Sequence, residues 1–460
     1  MICGPFAPVF EESTLEGLEV IGEIPGDLSG VYLRNGPNAR LRPRGRYHWF
    51  DGDGMVHAAH FDRGKLTYRN RWVRTEGFRR EEEAGEALYA GVMETQKDRG
   101  DRPMKDTGNT DVIGHGGMAV ASWYLCGEAW LLDPVTLETR GKIEGMRGRG
   151  KMSAHPKVDE VTGELLFFDY WDEAPYMRYG VLGPDRRLRH EVPIELPGPR
   201  LPHDMAVTEH YTILHDLPLF YDMEALAAGR HKLAFHPEVP ARFGVIPRYG
   251  AAGEIRWFEA SPCFIYHVVN AWEEGDEVVM VACRYQTPTD AAGRPDAARM
   301  AKMIALLQMD ARVVRYRFDL RTGLTREEAI DPEHNLEFPT CNGARTGRKT
   351  RFAWLMEQTV ERPHFTAVVR QDTDTGAWER WSDGPGVFYS EAAFAPREGA
   401  TAEDDGYLVT FAWDEGAQRS EIQVFDAREV KRGPVARVIV PRRIPAGFHA
   451  TWIGEGRIAR

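Results

Sequence analysis

Residues 201–218, LPHDMAVTEHYTILHDLP, decide the fold. Apolar and polar residues alternate closely enough to read as strand, turn, strand, since a period of two marks extended chain. Val207, Tyr211, Ile213 and Leu214 are its core candidates, and His203 followed by Asp204 stands at its mouth. A histidine there has an ordinary reading as a hydrogen-bonded core residue, because imidazole is often buried neutral. Recurrence changes that reading. His155 in KMSAHPKVD, His267 in FIYHVVNAWEEGD and His449 in AGFHATWIG also lie in or beside aromatic or apolar strand-like runs. Four such histidines point to one shared centre.

Outward from this hairpin the chain reads overwhelmingly as β. Runs such as GVYLRNGPN, YHWFDGDGMVHAAHF, ELLFFDYW, EVVMVACRYQ, ARVVRYRFDL and GYLVTFAWDE alternate with Gly, Pro and Asp turns. One turn repeats as D-x-x-T, beginning at Asp133, Asp159, Asp319 and Asp372, and glycine follows in the last three. Asp and Thr side chains can bond the turn backbone while Gly supplies positive φ, so these are hairpin turns. Many hairpins over 460 residues favour a β-propeller above a sandwich. Two stretches break the rhythm. Residues 75–92 open on a cap-like Thr and carry Glu and Ala, which predicts a helix. Residues 296–312 place Met300, Met303, Ile304 and Leu307 on one helical face. Core packing is the main account of that stripe; a substrate mouth or membrane contact is the minority one, with residues 217–228 a second candidate.

The net charge of −12, without a long basic run, argues against a nucleic-acid partner. Five scattered cysteines, none in a CxxC pair, read as reduced and mostly buried thiols. The opening MICGPFAPVFEE lacks the features of a secretory signal, and no window approaches a membrane span of ~20 apolar residues. The expectation is a cytoplasmic protein, with peripheral membrane contact as the alternative to a fully soluble one.

Taken together, these segments resemble the carotenoid cleavage oxygenases, a family that includes lignostilbene dioxygenases and isoeugenol oxygenases. The resemblance runs from residues 21–38, IGEIPGDLSGVYLRNGPN, through WFDGDGMVHA, SAHPKVD, HDMAVTEHY, HVVNAWEEGD and LEFPT to FHATW, nearly the whole chain. It implies an all-β fold: a single seven-bladed β-propeller over residues 1–460, with short helices and loops capping a face that bears non-haem Fe(II). The implied ligands are His155, His203, His267 and His449, whose spacings of 48, 64 and 182 residues suit separate blades. Neutral imidazoles suit Fe(II) and leave room for dioxygen. The remaining histidines read as ordinary: His48, His57 and His60 around the DGDG turn, His190, His210, His231, His236, His334 and His364 in polar surroundings, and His115 and His215 in more apolar runs.

The resemblance also implies three glutamates that orient the ligands from behind. Glu337 in NLEFPT and Glu391 in FYSEAAFAP match two, paired with His267 and His449. The third falls on Leu125; Glu128 lies three residues on, which along a strand would put it on the opposite face. The implied activity is O₂-dependent cleavage of a conjugated C=C bond into two carbonyl products, without organic cofactor. Non-oxidative, retinoid-isomerase-like chemistry is one alternative, and a degenerate iron or apolar-ligand binding protein another. The stilbene branch grips its substrate's 4-hydroxyl with a Tyr and a Lys, positions that fall on Val92 and Tyr124. Lacking that Lys, the chain favours an apocarotenoid or carotenoid over a stilbenoid or phenylpropenoid, with Phe50, Val92, Tyr124 and Phe338 as the substrate-pocket candidates.

Overall fold

Each D-x-x-T segment closes a hairpin in the computed structural model, which describes residues 3–42, 44–94, 104–147, 150–228 and 232–459. The aspartate Oδ1 accepts the N–H groups two and three residues on, at 2.8–3.4 Å. The N–H after the threonine returns to the aspartate carbonyl at 2.8 Å in all four turns. That residue must take positive φ, as Gly163, Gly323 and Gly376 do at 73°, 80° and 74°. In the first turn Leu137 does so at 61°, and its fully buried side chain helps hold it there.

The chain packs as two units, one of Met1–Glu144, Glu224–His231 and Arg380–Arg460, the other of Gly145–Met223 and Lys232–Glu379. The second unit contains antiparallel sheets that follow chain order. The first is Lys157–Asp159, Glu164–Tyr170, Tyr176–Leu182 and Leu188–Glu195. The next is Met205–Val207, Tyr211–Asp216, Ala241–Pro247 and Arg256–Ala260. Then come Ile265–Glu274, Glu277–Tyr285, Ala311–Asp319 and Thr325–Asp331, followed by Leu336–Thr340, Phe352–Gln358 and Phe365–Asp372. In each of these four groups of strands, the one that comes first in sequence carries an expected site residue or begins two residues after it: His155, His203, His267 or Glu337.

The deciding stretch is strand, turn, strand as expected, with Met205 facing Leu214 and Val207 facing Thr212. Val207, Ile213 and Leu214 are buried, whereas Tyr211 is only half-buried. Polar residues of Tyr211–Asp216 are buried as well, because both faces of the strand are covered. Thr212 donates to the Tyr179 hydroxyl at 2.9 Å, and Asp216 pairs with Arg200 at 2.7 Å. His215 is fully buried, with no hydrogen-bond partner at either ring nitrogen among the described residues.

In the first unit, the C-terminal strand Ala450–Gly454 pairs with Ser29–Arg34, which continues to Met55–Asp62 and Lys65–Trp72. A second sheet runs Asp111–His115, Met118–Ser122, Trp130–Leu132, Thr139–Lys142. A third contains Ala393–Pro396, Gly406–Asp414, Arg419–Asp426, Pro434–Val440 and Val20–Gly22. Tyr32, Phe61, Tyr68, Phe411, Ile422 and Val424 form much of this unit's core.

Both expected helices are shorter than the pattern suggests. Thr75 caps one helix by accepting the Phe78 N–H at 3.1 Å, but it spans only Glu76–Ala84. Gly85 then turns left-handed at φ 70°, and the Glu81 carboxylate takes the Leu88 and Tyr89 N–H groups at 2.8 and 3.2 Å, which leads the chain off the axis. The other spans Ala297–Ala305, with Met300, Met303 and Ile304 buried, so the stripe is core. Leu307 is also buried, but left-handed and beyond the helix, and Ala311 already begins a strand. In the run 47–61, Trp49–Asp51 forms a 3-10 turn capped by His48 before strand Met55–Asp62 begins. Cys126, Cys263 and Cys283 are buried, Cys341 half-buried and Cys3 exposed. His231 lies outside the described residues.

Candidate metal centre

Three histidines of the second unit converge. His155 and His203 each lie two residues before the first strand of a sheet, and both hold left-handed backbone, at φ 66° and 67°. Non-glycine residues reach that region at a cost of ~1–3 kcal/mol, tolerated where the surroundings over-determine it. His267 sits inside Ile265–Glu274, where the register against Glu277–Tyr285 shifts between Ile265 and Val268, across His267, and again between Val268 and Asn270. Such a bulge re-aims a side chain out of the regular alternation. The ring centroids lie 4.6 Å apart for His155 and His203, 5.2 Å for His155 and His267, and 5.3 Å for His203 and His267. All three residues are buried.

The wall around them is aromatic and held from behind. Glu337 is fully buried, and its Oε2 lies 2.5 Å from His267 Nδ1 while also accepting the Phe338 N–H at 2.8 Å. Strand Leu336–Thr340 is itself bulged, and Phe338 takes φ 49°, which brings its ring to 4.6 Å from that of His267. Tyr266 stands edge-on to His203 at 4.4 Å and donates its hydroxyl proton to the Ile304 carbonyl at 3.1 Å. The methionine-rich helix thereby braces the centre.

His449 belongs to the first unit and is presented by a turn. Its Nδ1 lies 3.3 Å from Glu391 Oε1, while Glu391 Oε2 takes the Ala450 N–H. Burial raises the Glu391 carboxyl pKa, and the neighbouring His449 opposes that rise. The Tyr32 hydroxyl donates to the Glu391 carbonyl at 2.7 Å. The RNGPN segment explains the turn. Asn35 exchanges backbone bonds with Phe448 and His449 at 2.8 and 2.9 Å, and Arg34 donates to the Pro445 carbonyl at 2.6 Å. A Cβ at Gly447 would run into the Arg34 guanidinium, so the turn needs glycine for close approach.

The sequence profile described as RPE65, retinal pigment epithelial membrane protein, matches residues 6–454. Carotenoid 9,10(9',10')-cleavage dioxygenase of Crocus sativus is 35% identical over 99% of this chain and 89% of its own length. Isoeugenol monooxygenase of Pseudomonas nitroreducens is 31% identical over 98% of this chain and 97% of its own. The crystal structure of Pseudomonas brassicacearum lignostilbene dioxygenase superposes with a TM-score of 0.87 at 29% identity, and that of cobalt-substituted Synechocystis apocarotenoid oxygenase with 0.85 at 26%, each covering 98% of both chains. The chain belongs to the RPE65/carotenoid cleavage oxygenase family. Its mostly-β architecture is of the propeller class of those structures. It is an oxidoreductase of the dioxygenase type, acting by oxidative cleavage of a conjugated C=C bond.

Against that family's pattern, the third glutamate needs one correction. Residues 123–129 form a turn between Met118–Ser122 and Trp130–Leu132, so strand alternation does not govern Glu128. Glu128 is instead directed to Lys142, 3.0 Å away, and Leu125 is buried. Of the pocket candidates, Phe338 stands against His267. In the first unit Phe50 packs tilted against Tyr124 at 4.5 Å and edge-on against Phe448 at 5.1 Å, next to His449. Phe50 and Val92 also line a small cavity of about 40 Å³ with Trp123 and Lys105. Lys105 is bound to Asp53 and lies 2.5 Å from Glu81 Oε2. Sequence reasoning missed Lys105, Tyr266 and Arg34. Arg34 had a signal in the RNGPN motif; an isolated Lys in DRPMKDTG had none.

Proposed function

We propose that His155, His203, His267 and His449 hold one Fe(II), and that the enzyme cleaves an apocarotenoid or carotenoid double bond with O₂ to two carbonyl products. The observation that carries the metal reading is the trio of buried imidazoles in ring contact, with Glu337 on the Nδ1 of His267. An acceptor on Nδ1 fixes the tautomer and leaves Nε2 to face a metal. A buried donor set of neutral imidazoles with an aromatic surround fits a borderline divalent ion such as Fe(II). When bound, the iron supplies dioxygen binding and activation. Glu337 and Glu391 orient their histidines, while Tyr266, Phe338, Phe50 and Tyr124 supply apolar surface that positions the alkene and excludes water. The overall balance is one C=C and one O₂ consumed, two C=O formed.

Val92 carries the substrate preference. It offers no hydrogen bond where the stilbene branch has a Tyr, and an unpaired buried phenol disfavours binding by ~1–3 kcal/mol. The likeness to lignostilbene dioxygenase favours a second reading, a stilbenoid or phenylpropenoid substrate gripped through the Tyr124 hydroxyl. Relative kcat/KM on an apocarotenal, resveratrol and isoeugenol decides. Faster cleavage of the phenols, lost in Tyr124→Phe, would overturn the apocarotenoid reading. Under ¹⁸O₂ the dioxygenase must label both carbonyls; unlabelled products would assign non-oxidative chemistry. A seven-bladed single domain over residues 1–460 and a cytoplasmic location belong to the same proposal. No described helix is long and apolar enough to cross a membrane; the exposed Met223 and Leu306 would make any peripheral contact.

A further inference from the structure

Each of the three histidines of the second unit is followed, within two residues, by a group that meets at one carboxylate. Asp204, directly after His203, is buried, accepts two backbone N–H bonds and pairs with one ammonium. Its Oδ1 takes the Met205 N–H at 2.7 Å and lies 2.7 Å from the ammonium of Lys157, two residues after His155. Its Oδ2 takes the N–H of Val268, directly after His267, at 2.7 Å. The bulge at His267 disrupts the regular ladder there, and the Val268 N–H is given to Asp204. His155 and His203 lie on strained left-handed backbone, which needs an outside restraint to persist.

We infer that Lys157 and Asp204 form a clamp that sets the mutual spacing of His155, His203 and His267, and so positions these residues for metal binding. The inference rests on the reading of those histidines as metal ligands. Neither residue touches the metal in this account; both act through the backbone beside the ligands. A charge-assisted, three-pronged carboxylate suits the task, since such bonds are short and directional. The ion pair is also sheltered: Asp204 is 1% exposed and Lys157 23%. Solvent screening is correspondingly weak.

The test loads wild type, Lys157→Met, Lys157→Arg and Asp204→Asn with Co(II) and follows the visible ligand-field bands, together with the rate of metal release to a chelator. Arg315→Met serves as control: it removes a buried arginine of the same unit that pairs with the exposed Glu328 at 2.9 Å and touches none of the three segments. Lys157→Met and Asp204→Asn should release metal roughly 10–100-fold faster, the range for lost outer partners of metal ligands, with shifted bands. Lys157→Arg should restore most of the retention, and Arg315→Met should leave the bands unchanged. Release rates and bands equal to wild type in both clamp variants would overturn the clamp alone. Equal acceleration in Arg315→Met, tracking the loss in melting temperature, would reduce it to general stability and overturn it too. A wild-type chain that takes up neither Co(II) nor Fe(II) would instead overturn the four-histidine reading, and the clamp with it.

Discussion

His267 and His449 are each held by a buried glutamate on Nδ1, yet the two units hold them differently. In the second unit the carboxylate contact is 2.5 Å, and Glu337 also takes the N–H of its own neighbour Phe338. In the first unit the contact is 3.3 Å, and Glu391 also binds the Ala450 N–H. What compensates there is backbone: Arg34, Asn35 and Gly447 fix the turn on which His449 rides. A histidine inside a bulged strand can thus be aimed by one strong side-chain bond, whereas one on a turn needs the turn itself held. The largest expected effect lies within the trio. His203→Ala or His267→Ala should abolish both iron retention and turnover, and undiminished iron in either variant would break the comparison at its root.

Next in size are the glutamates, which test the asymmetry directly. Glu337→Ala should weaken metal affinity by about 10–100-fold, and Glu391→Ala should cost less, because the Arg34 and Asn35 ties survive it. Chelator competition on both variants measures this, and a larger loss in Glu391→Ala would reverse the argument. Gly447→Ala attacks the other side. Its new Cβ meets a fully buried Arg34 that has nowhere to retreat, so overpacking should cost ~1–3 kcal/mol of stability, read from denaturant midpoints. Metal affinity should fall with it, since the same turn presents His449.

Much of this was legible beforehand because the residues concerned are locally determined. The D-x-x-T turns write their own hydrogen bonds, and the deciding hairpin has the alternation of a strand pair. The expected ligands stand in motifs that mark sheet entries. What the sequence could not display were distances between remote segments. Nothing in SAHPK and HDM says that Lys157 reaches Asp204, and nothing in residues 75–92 says that the Glu81 side chain would lead the chain off its helix. The Leu125–Glu128 segment misled for a related reason. Its residues look extended, but Cys126 takes φ 67° and the chain turns.

The smallest effect concerns His215, the buried histidine on the second strand of the deciding hairpin. Burial, with Lys157 nearby, pushes its pKa down to about 3. The folded chain therefore keeps it neutral while the unfolded chain titrates it near pH 6.5. Above that pH it contributes nothing to pH dependence; as pH falls from about 6.5 towards 3, the unfolded state binds a proton that the folded state refuses, and stability is lost. Asp169 of the same unit works the other way. Burial raises it to about 7, so below that pH the folded state gains a proton first and stability rises. The two partly cancel between about pH 6.5 and 4, and the wild-type curve alone will not reveal either. The difference between wild type and His215→Leu isolates the histidine. At pH 7 the two should be nearly equal, since leucine fills comparable space and leaves no ring nitrogen unpaired. By pH 4.5, about two units below the unfolded pKa, the variant should gain about 3 kcal/mol relative to wild type, following ~1.4 kcal/mol per pH unit. A difference curve flat from pH 7 to 4.5 would mean that His215 takes a proton in the folded state, and that the sheet holding His203 opens to water at its second strand.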